Sequence, residues 1–140
     1  MNNLEQRFRK TLTDNAIRVT NPRLALFKAL RLLNEPVPLS ALISKVQGSD
    51  RASIYRNIEL FEKLGICNVL LIGWKKRYEL AAPFHDHHHH IFCEQCGKVV
   101  SIDSPTLEKV IKTIAETKGF TLQNHTLELH GVCRECQSIQ

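Results

Sequence analysis

The chain has 140 residues, 43% of them apolar, and a formal net charge of +5. That is enough apolar material for one ordinary core or two small ones, which excludes a disordered chain. No stretch approaches the roughly 20 apolar residues of a membrane-spanning helix, and "MNNLEQRFRKTL" lacks a signal-peptide run, so the expected location is the cytoplasm with no membrane partner.

In that reducing compartment, five cysteines with two Cys-x-x-C pairs read as metal ligands or redox groups ahead of disulfides. Charge and chemistry divide at the same place. Residues 1–83 carry 14 Lys/Arg against 7 Asp/Glu, giving +7, and residues 84–140 carry 5 against 7, giving −2. All seven histidines and four of the five cysteines follow position 83. A basic half suggests a polyanion partner, although a solvated surface with surplus lysine gives the same count.

Apolar residues recur at helical spacing in "LEQRFRKTL", "PRLALFKALRLL" and "LSALISKV", with breaks at "TDNAIRVTN" and "NEPVP". Pro22 suits a first helical turn after Asn21, and Leu39 or Ser40 opens the third helix. A fourth helix is expected in "GSDRASIYRNIELFEKLG", where Ser49 or Asp50 caps, Ile54, Ile58, Phe61 and Leu64 form a stripe, and Gly65 ends it. Two short strands, "ICNVLLI" and "KRYEL", follow about a "GWKK" turn. Helices and then a hairpin in a basic segment describe a winged helix-turn-helix. In that motif the second helix of the pair enters the DNA major groove, and Arg51, Ser53, Tyr55, Arg56 and Asn57 supply its donors. The same residues on a lone helix would only solvate it; the hairpin and the charge favour DNA.

After the linker "AAPF" the pattern changes to strands in "HHHHIFC" and "KVVSI", a helix in "SPTLEKVIKTIAETKG" capped by Ser104 with Pro105 in its first turn and Gly119 at its end, and a strand in "FTLQNHTLELHGV". This is a small α+β domain, so the whole chain is expected to be α+β. The expected boundaries are a winged-helix DNA-binding domain over 1–80, a hinge over 81–86 and a metal-binding dimerisation domain over 87–140.

Cys93, Cys96, Cys133 and Cys136 form two Cys-x-x-C knuckles, and four thiolates satisfy the tetrahedral preference of zinc. The 36 residues between the pairs exceed the usual spacing, but a strand-helix-strand insert can fold back to close the site. Redox chemistry would need an active pair at a helix start in a βαβ context. The histidine run follows from strand geometry. In an extended backbone His87 and His89 point to one face while His88 and His90 point to the other, so one tract serves two sites. Glu108 and His125 are candidates for the first face; Glu79, His85, Asp86 and Cys67 are candidates for the second. A metal-scavenging surface tract is the bland alternative. Neither a His-Glu-x-x-His, a phosphate-binding glycine loop nor a nucleophile elbow occurs, so an enzyme is not expected.

Taken together, "RVTNPR", "ASIYRNIELFEKLGI", "RYEL", "HHHHIFCEQCGKVV" and "CREC", in this order over nearly the whole chain, resemble the ferric-uptake-regulator family of metal-dependent repressors. The resemblance implies structural Zn(II) on Cys93, Cys96, Cys133 and Cys136, and a second site of His87, His89, Glu108 and His125. It implies a sensing site of His88, His90 and Glu79 that bridges the domains at the hinge, with Cys67 or His85 as further ligands. Tyr55 and Arg56 align with residues that contact DNA, and Arg18 and Arg23 suit phosphate. A homodimer would read a pseudo-palindromic double-stranded operator. Iron- and peroxide-sensing members usually bring a histidine from the loop after the second helix, and "NEPVPLS" has none. The unbroken histidine run is similar to the zinc-uptake-regulator branch, so regulatory Zn(II) is expected ahead of Fe(II) or Mn(II). A repressor of metal-uptake, in the first place zinc-uptake, genes is the resulting expectation; an iron or peroxide sensor and a zinc buffer or chaperone are the alternatives.

Overall fold

The computed structural model describes residues 2–72 and 74–139. The chain divides into two compact units, 1–86 and 87–140.

The first unit opens with four helices: α1 (Asn3–Asp14), α2 (Asn21–Leu33), α3 (Leu39–Lys45) and α4 (Arg51–Lys63). Their starts follow local chemistry. Asn2 caps α1 through Glu5 N, and Asp50 caps α4 by accepting from Ser53 N at 2.6 Å. Thr20, not Asn21, caps α2, so Asn21 and Pro22 are already helical. A hairpin of β1 (Cys67–Ile72) and β2 (Lys75–Leu80) follows, antiparallel with Cys67 opposite Leu80 and Ile72 opposite Lys75. The expected turn between them includes Gly73, which lies outside the described residues. Val37 adds a bridge to Tyr78, exchanging both backbone hydrogen bonds at 3.0 and 2.8 Å, so the "EPVP" segment extends the hairpin sheet.

The core of this unit gathers the helical stripes. Phe8 stacks on Phe27 at 4.3 Å and meets Phe61 edge-on at 5.3 Å, with Leu26, Leu30, Leu42, Ile54 and Ile58 around them. Residues 81–86, expected as a hinge, fall within this unit. Phe84 is buried edge-on to Phe27 at 5.6 Å, and the Phe84 and His85 amides both donate to Ala81 O, because an apolar ring gains more from the core than from solvent.

The second unit is a three-stranded sheet, order β4-β3-β5, of β3 (His89–Cys93), β4 (Val99–Ile102) and β5 (Glu128–Gly131), with α5 (Pro105–Thr117) between β4 and β5 and a single-turn α6 (Arg134–Gln137) at the end. β3 and β4 pair antiparallel; β3 and β5 pair parallel, with Cys93 opposite Gly131. Ser104 caps α5 by accepting from Leu107 N at 3.2 Å, and Gly119 adopts φ +81° just past its end, a conformation glycine takes without strain. Two expectations are corrected here. The last strand is only Glu128–Gly131, because the register carries β5 no further back along β3 than His90, and residues 121–127 have no partner strand among the described residues. The second knuckle opens a helical turn that the residue pattern did not signal, with Cys133 as its N-cap.

Candidate metal centres

The parallel pairing of β3 with β5 solves the long spacing between the knuckles. Cys93 closes β3, Glu94 N donates to Gly131 O at 2.8 Å, and β5 therefore delivers Cys133 and Cys136 to the turn that holds Cys96. The four Sγ atoms all lie within 4.8 Å of one another, with Cys96 and Cys133 at 3.7 Å. A tetrahedron with metal–sulfur bonds of 2.3 Å has edges of about 3.8 Å, so the thiols fit a tetrathiolate ion. All five cysteines are unbridged. The backbone amides of Cys133 and Cys96 point at Cys93 Sγ, at 3.3 and 3.5 Å, and lower its pKa to about 6. Its neighbour Cys136 is pushed up to about 12 by the Cys133 side chain and by burial. Although Cys133 does start a helical turn, its Sγ faces three other thiols and not a lone partner, which favours a closed structural site over redox exchange.

The second cluster is built from both sides of the strand–helix junction. His89 Nε2 lies 2.7 Å from Glu108 Oε1, and His125 and His87 Nε2 lie 2.8 and 3.4 Å from Glu108 Oε2. His87 and His125 Nε2 are 3.1 Å apart. Burial alone would raise the Glu108 carboxyl; the His89 hydrogen bond and the nearby His125 and His87 outweigh it and hold its pKa below the ordinary carboxylate range. Three imidazole nitrogens and a carboxylate thus face one centre, a donor set suited to a divalent transition metal. His125 reaches this centre from the segment ahead of β5 and not from within the strand.

His88 and His90 form a separate pair with Nε2 atoms 2.9 Å apart. Neighbouring imidazoles have therefore gone to different clusters, as the pleat requires. Glu79 lies on β2 opposite Asn68, and His85 Nδ1 sits 2.9 Å from Asp86 O. Cys67 is 2% exposed in the first unit's core, its thiol points to Ile58 O at 3.8 Å, and burial pushes its pKa up to about 12.

On α4, Arg51, Tyr55 and Arg56 are exposed and Ser53 is partly so, while Ile54, Ile58 and Phe61 face the core. Arg18 is exposed ahead of α2. Arg23 is already engaged: Nε donates to Asn57 Oδ1 at 3.2 Å and Nη1 to Arg18 O at 2.6 Å. Arg23 and Asn57 thus clasp α2 to α4 and fix the angle at which α4 is presented. No spacing rule links residues 34 apart, which is why the residue pattern offered Asn57 only as a surface donor. No helix among the described residues is long and apolar enough to cross a membrane.

The chain is similar to known proteins over most of its length. The pattern described as the ferric uptake regulator family matches residues 14–130. The ferric uptake regulation protein of Campylobacter jejuni is 30% identical over 142 residues, covering 96% of this chain and 89% of that protein. The peroxide operon regulator of Bacillus subtilis is 31% identical over 132 residues, covering 91% and 89% respectively. Among solved structures, the ferric uptake regulator of Helicobacter pylori, described as having three functional metal binding sites, matches with a TM-score of 0.81 at 24% identity over 96% of this chain and 91% of that one, a likeness of fold.

Proposed function

The chain belongs to the ferric uptake regulator family and is on that ground a metal-responsive transcriptional regulator, and we propose that it is a cytoplasmic repressor of zinc-uptake genes with zinc as co-repressor. The observation that carries this reading is the sorting of four consecutive histidines into two clusters, with Glu108 and His125 joining one of them. One ribbon can then hold two ions beside the knuckle zinc, and a buffer or chaperone has no need of the winged helix that precedes it.

In this reading Cys93, Cys96, Cys133 and Cys136 hold structural zinc, which contributes folding free energy. The cluster of His87, His89, Glu108 and His125 holds a second ion within the dimerisation domain. The sensing site is assigned to His88, His90 and Glu79, with His85 as a further donor, on the strength of the family resemblance. A bound divalent cation there would supply a charge that imidazoles and a carboxylate from the two parts of the chain share. Differential affinity of about 5.5 kcal/mol moves a two-state equilibrium from 1:99 to 99:1, within reach of such a donor set. The favoured state is one in which two copies of α4 match two half-sites about one helical turn apart, with Tyr55, Arg56, Ser53 and Arg51 at the bases or phosphates and Arg18 on the backbone.

A homodimer is supported by apolar surface that the single chain leaves open. α5 is amphipathic yet buries no side chain, and Val110 and Ile114 on it are 50% and 57% exposed. Val100, Ile91 and Leu129 make a further exposed row across adjacent strands of β4, β3 and β5. Contiguous apolar surface of this kind marks an association face.

The test is a DNA-binding titration against buffered free Zn(II), Fe(II) and Mn(II), using duplexes selected from a random library by the metal-loaded protein. Binding triggered by zinc at the lowest free concentration supports the zinc reading. Binding driven by Fe(II) or Mn(II) alone would place the protein beside the Campylobacter and Bacillus relatives, as an iron or peroxide sensor. Metal uptake with no metal-dependent DNA binding would leave a buffer.

A further inference from the structure

His130 belongs to none of the donor clusters described above, and it lies on β5, the outer strand of the sheet order β4-β3-β5. Its Nε2 is 3.5 Å from Glu128 Oε2, two residues back on the same face, and its ring stacks on Phe92 at 5.3 Å. That separation is long for a hydrogen bond. It matches an edge of a tetrahedron about a divalent ion, because bonds of about 2.1 Å set neighbouring donors about 3.4 Å apart. Both residues are exposed, and no third His, Cys, Asp or Glu among the described residues gathers with them. The chain thus holds half of a site.

The outer edge of β5 is where the other half can enter. Glu94 N donates to Gly131 O at 2.8 Å, so Gly131 turns its backbone groups toward β3. By alternation Leu129 does the same, while Glu128 and His130 turn theirs to the open edge. The strand, ELHG, has neither lysine nor proline to guard that edge. A second copy can add its own β5 antiparallel across a twofold axis, with the outward-turned residues facing one another. Centring the pair on Glu128 sets carboxylate against carboxylate, and centring it on His130 sets imidazole against imidazole. Centring it on Leu129 sets Glu128 opposite His130 of the partner subunit, twice over by symmetry. The same register extends the exposed row of Val100, Ile91 and Leu129 across the axis on the other face of the sheet.

We infer that Glu128 and His130 form half of a divalent-metal site, completed at a dimer axis by the partner's Glu128 and the partner's His130, so that one ion such as Zn(II) bridges two copies. The inference rests on the homodimer reading. The four donors spring from the corners of a rectangle of about 5.5 by 6.7 Å on one face of the paired strands, a span that side chains of this length can close over a single ion.

The full chain is dialysed against buffered Zn(II), its bound metal is counted and its dimerisation is followed by sedimentation, beside Glu128→Gln and His130→Asn. Both positions are exposed, so each variant should keep its fold and its knuckle ion. The expected result is that each variant binds one ion fewer per two chains. At free zinc ten times the dissociation constant of the shared site, the parent dimer should be tightened by about tenfold, a gain that both variants lose. If either variant binds as much metal as the parent, the inference is overturned, and the homodimer stands as long as the parent sediments as one. If either variant loses one ion per chain, the pair is completed within a single copy and the shared site falls. If the zinc-loaded parent is a monomer at every concentration, the dimer reading and the site fail together.

Discussion

Replacing Cys133 and Cys136 by serine removes half of the tetrathiolate set and should unfold the second unit while leaving the first intact. Among residues 87–139 the buried apolar side chains are Phe92, Cys93 and Cys136, whereas the core of the first unit contains seventeen. Full burial of Phe92 contributes about 3 kcal/mol at most, and each cysteine less. Structural zinc in small Cys/His sites contributes about 10–16 kcal/mol at neutral pH, as much as the whole stability of an ordinary domain. A zinc ion bound there would therefore outweigh the apolar core of this unit, and α5, which has no fully buried side chain, cannot replace it. Limited proteolysis followed by mass spectrometry, beside zinc analysis, is the direct assay. Cleavage should concentrate after residue 86 with a stable fragment ending near it, and the dimer should be lost. A zinc-free double variant whose second unit resists protease as the parent does would refute the argument.

Arg56→Ala should weaken DNA binding by about 1–3 kcal/mol without changing zinc content, since Arg56 is exposed on α4 in the unit that has none of the knuckle thiols; gel shift and metal analysis of one preparation decide it. Asn57→Ala should cost about 1 kcal/mol in thermal stability, and Arg23→Met added to it should cost only the further bond that Arg23 makes to Arg18 O, because the bond to Asn57 is then already lost. Glu108→Ala should lose the second ion while retaining the knuckle ion, as Glu108 touches His87, His89 and His125 and no cysteine; equilibrium dialysis counts the ions. Cys67 has a folded pKa raised from 9 to about 12, so its contribution to stability is complete below pH 9 and lost as pH rises toward 12. Denaturant melts should show that alkaline loss in the parent and less of it in Cys67→Ala, and Cys67 should resist alkylation at neutral pH until the first unit unfolds.

Local order was legible because it is set by a few neighbouring residues. Helical stripes through Ile54, Ile58 and Phe61 have a period of 3.6, and the Asp50 and Ser104 caps act on amides three residues ahead. Imidazole sorting has the period of two of the pleat, so His87 with His89 and His88 with His90 could be paired before any fold was known. The expected last strand failed at the same level for the opposite reason: "FTLQNHTLELHGV" has strand-like residues, but a strand needs a partner, and the register reaches only Glu128–Gly131.

What the residues determined unaided was the donor inventory and the faces on which it lies, since covalent geometry alternates side chains whatever surrounds them. Tertiary structure decided which distant groups meet. Only the parallel register of β3 on β5 places Gly131 beside Cys93 and so closes the thiol cluster across 36 intervening residues. Only helix packing sets Arg23 against Asn57, and only burial seats Cys67 and Phe84 in the core of the first unit. Those outcomes depend on where apolar area can leave water, a property of the assembled chain and not of any short stretch of it.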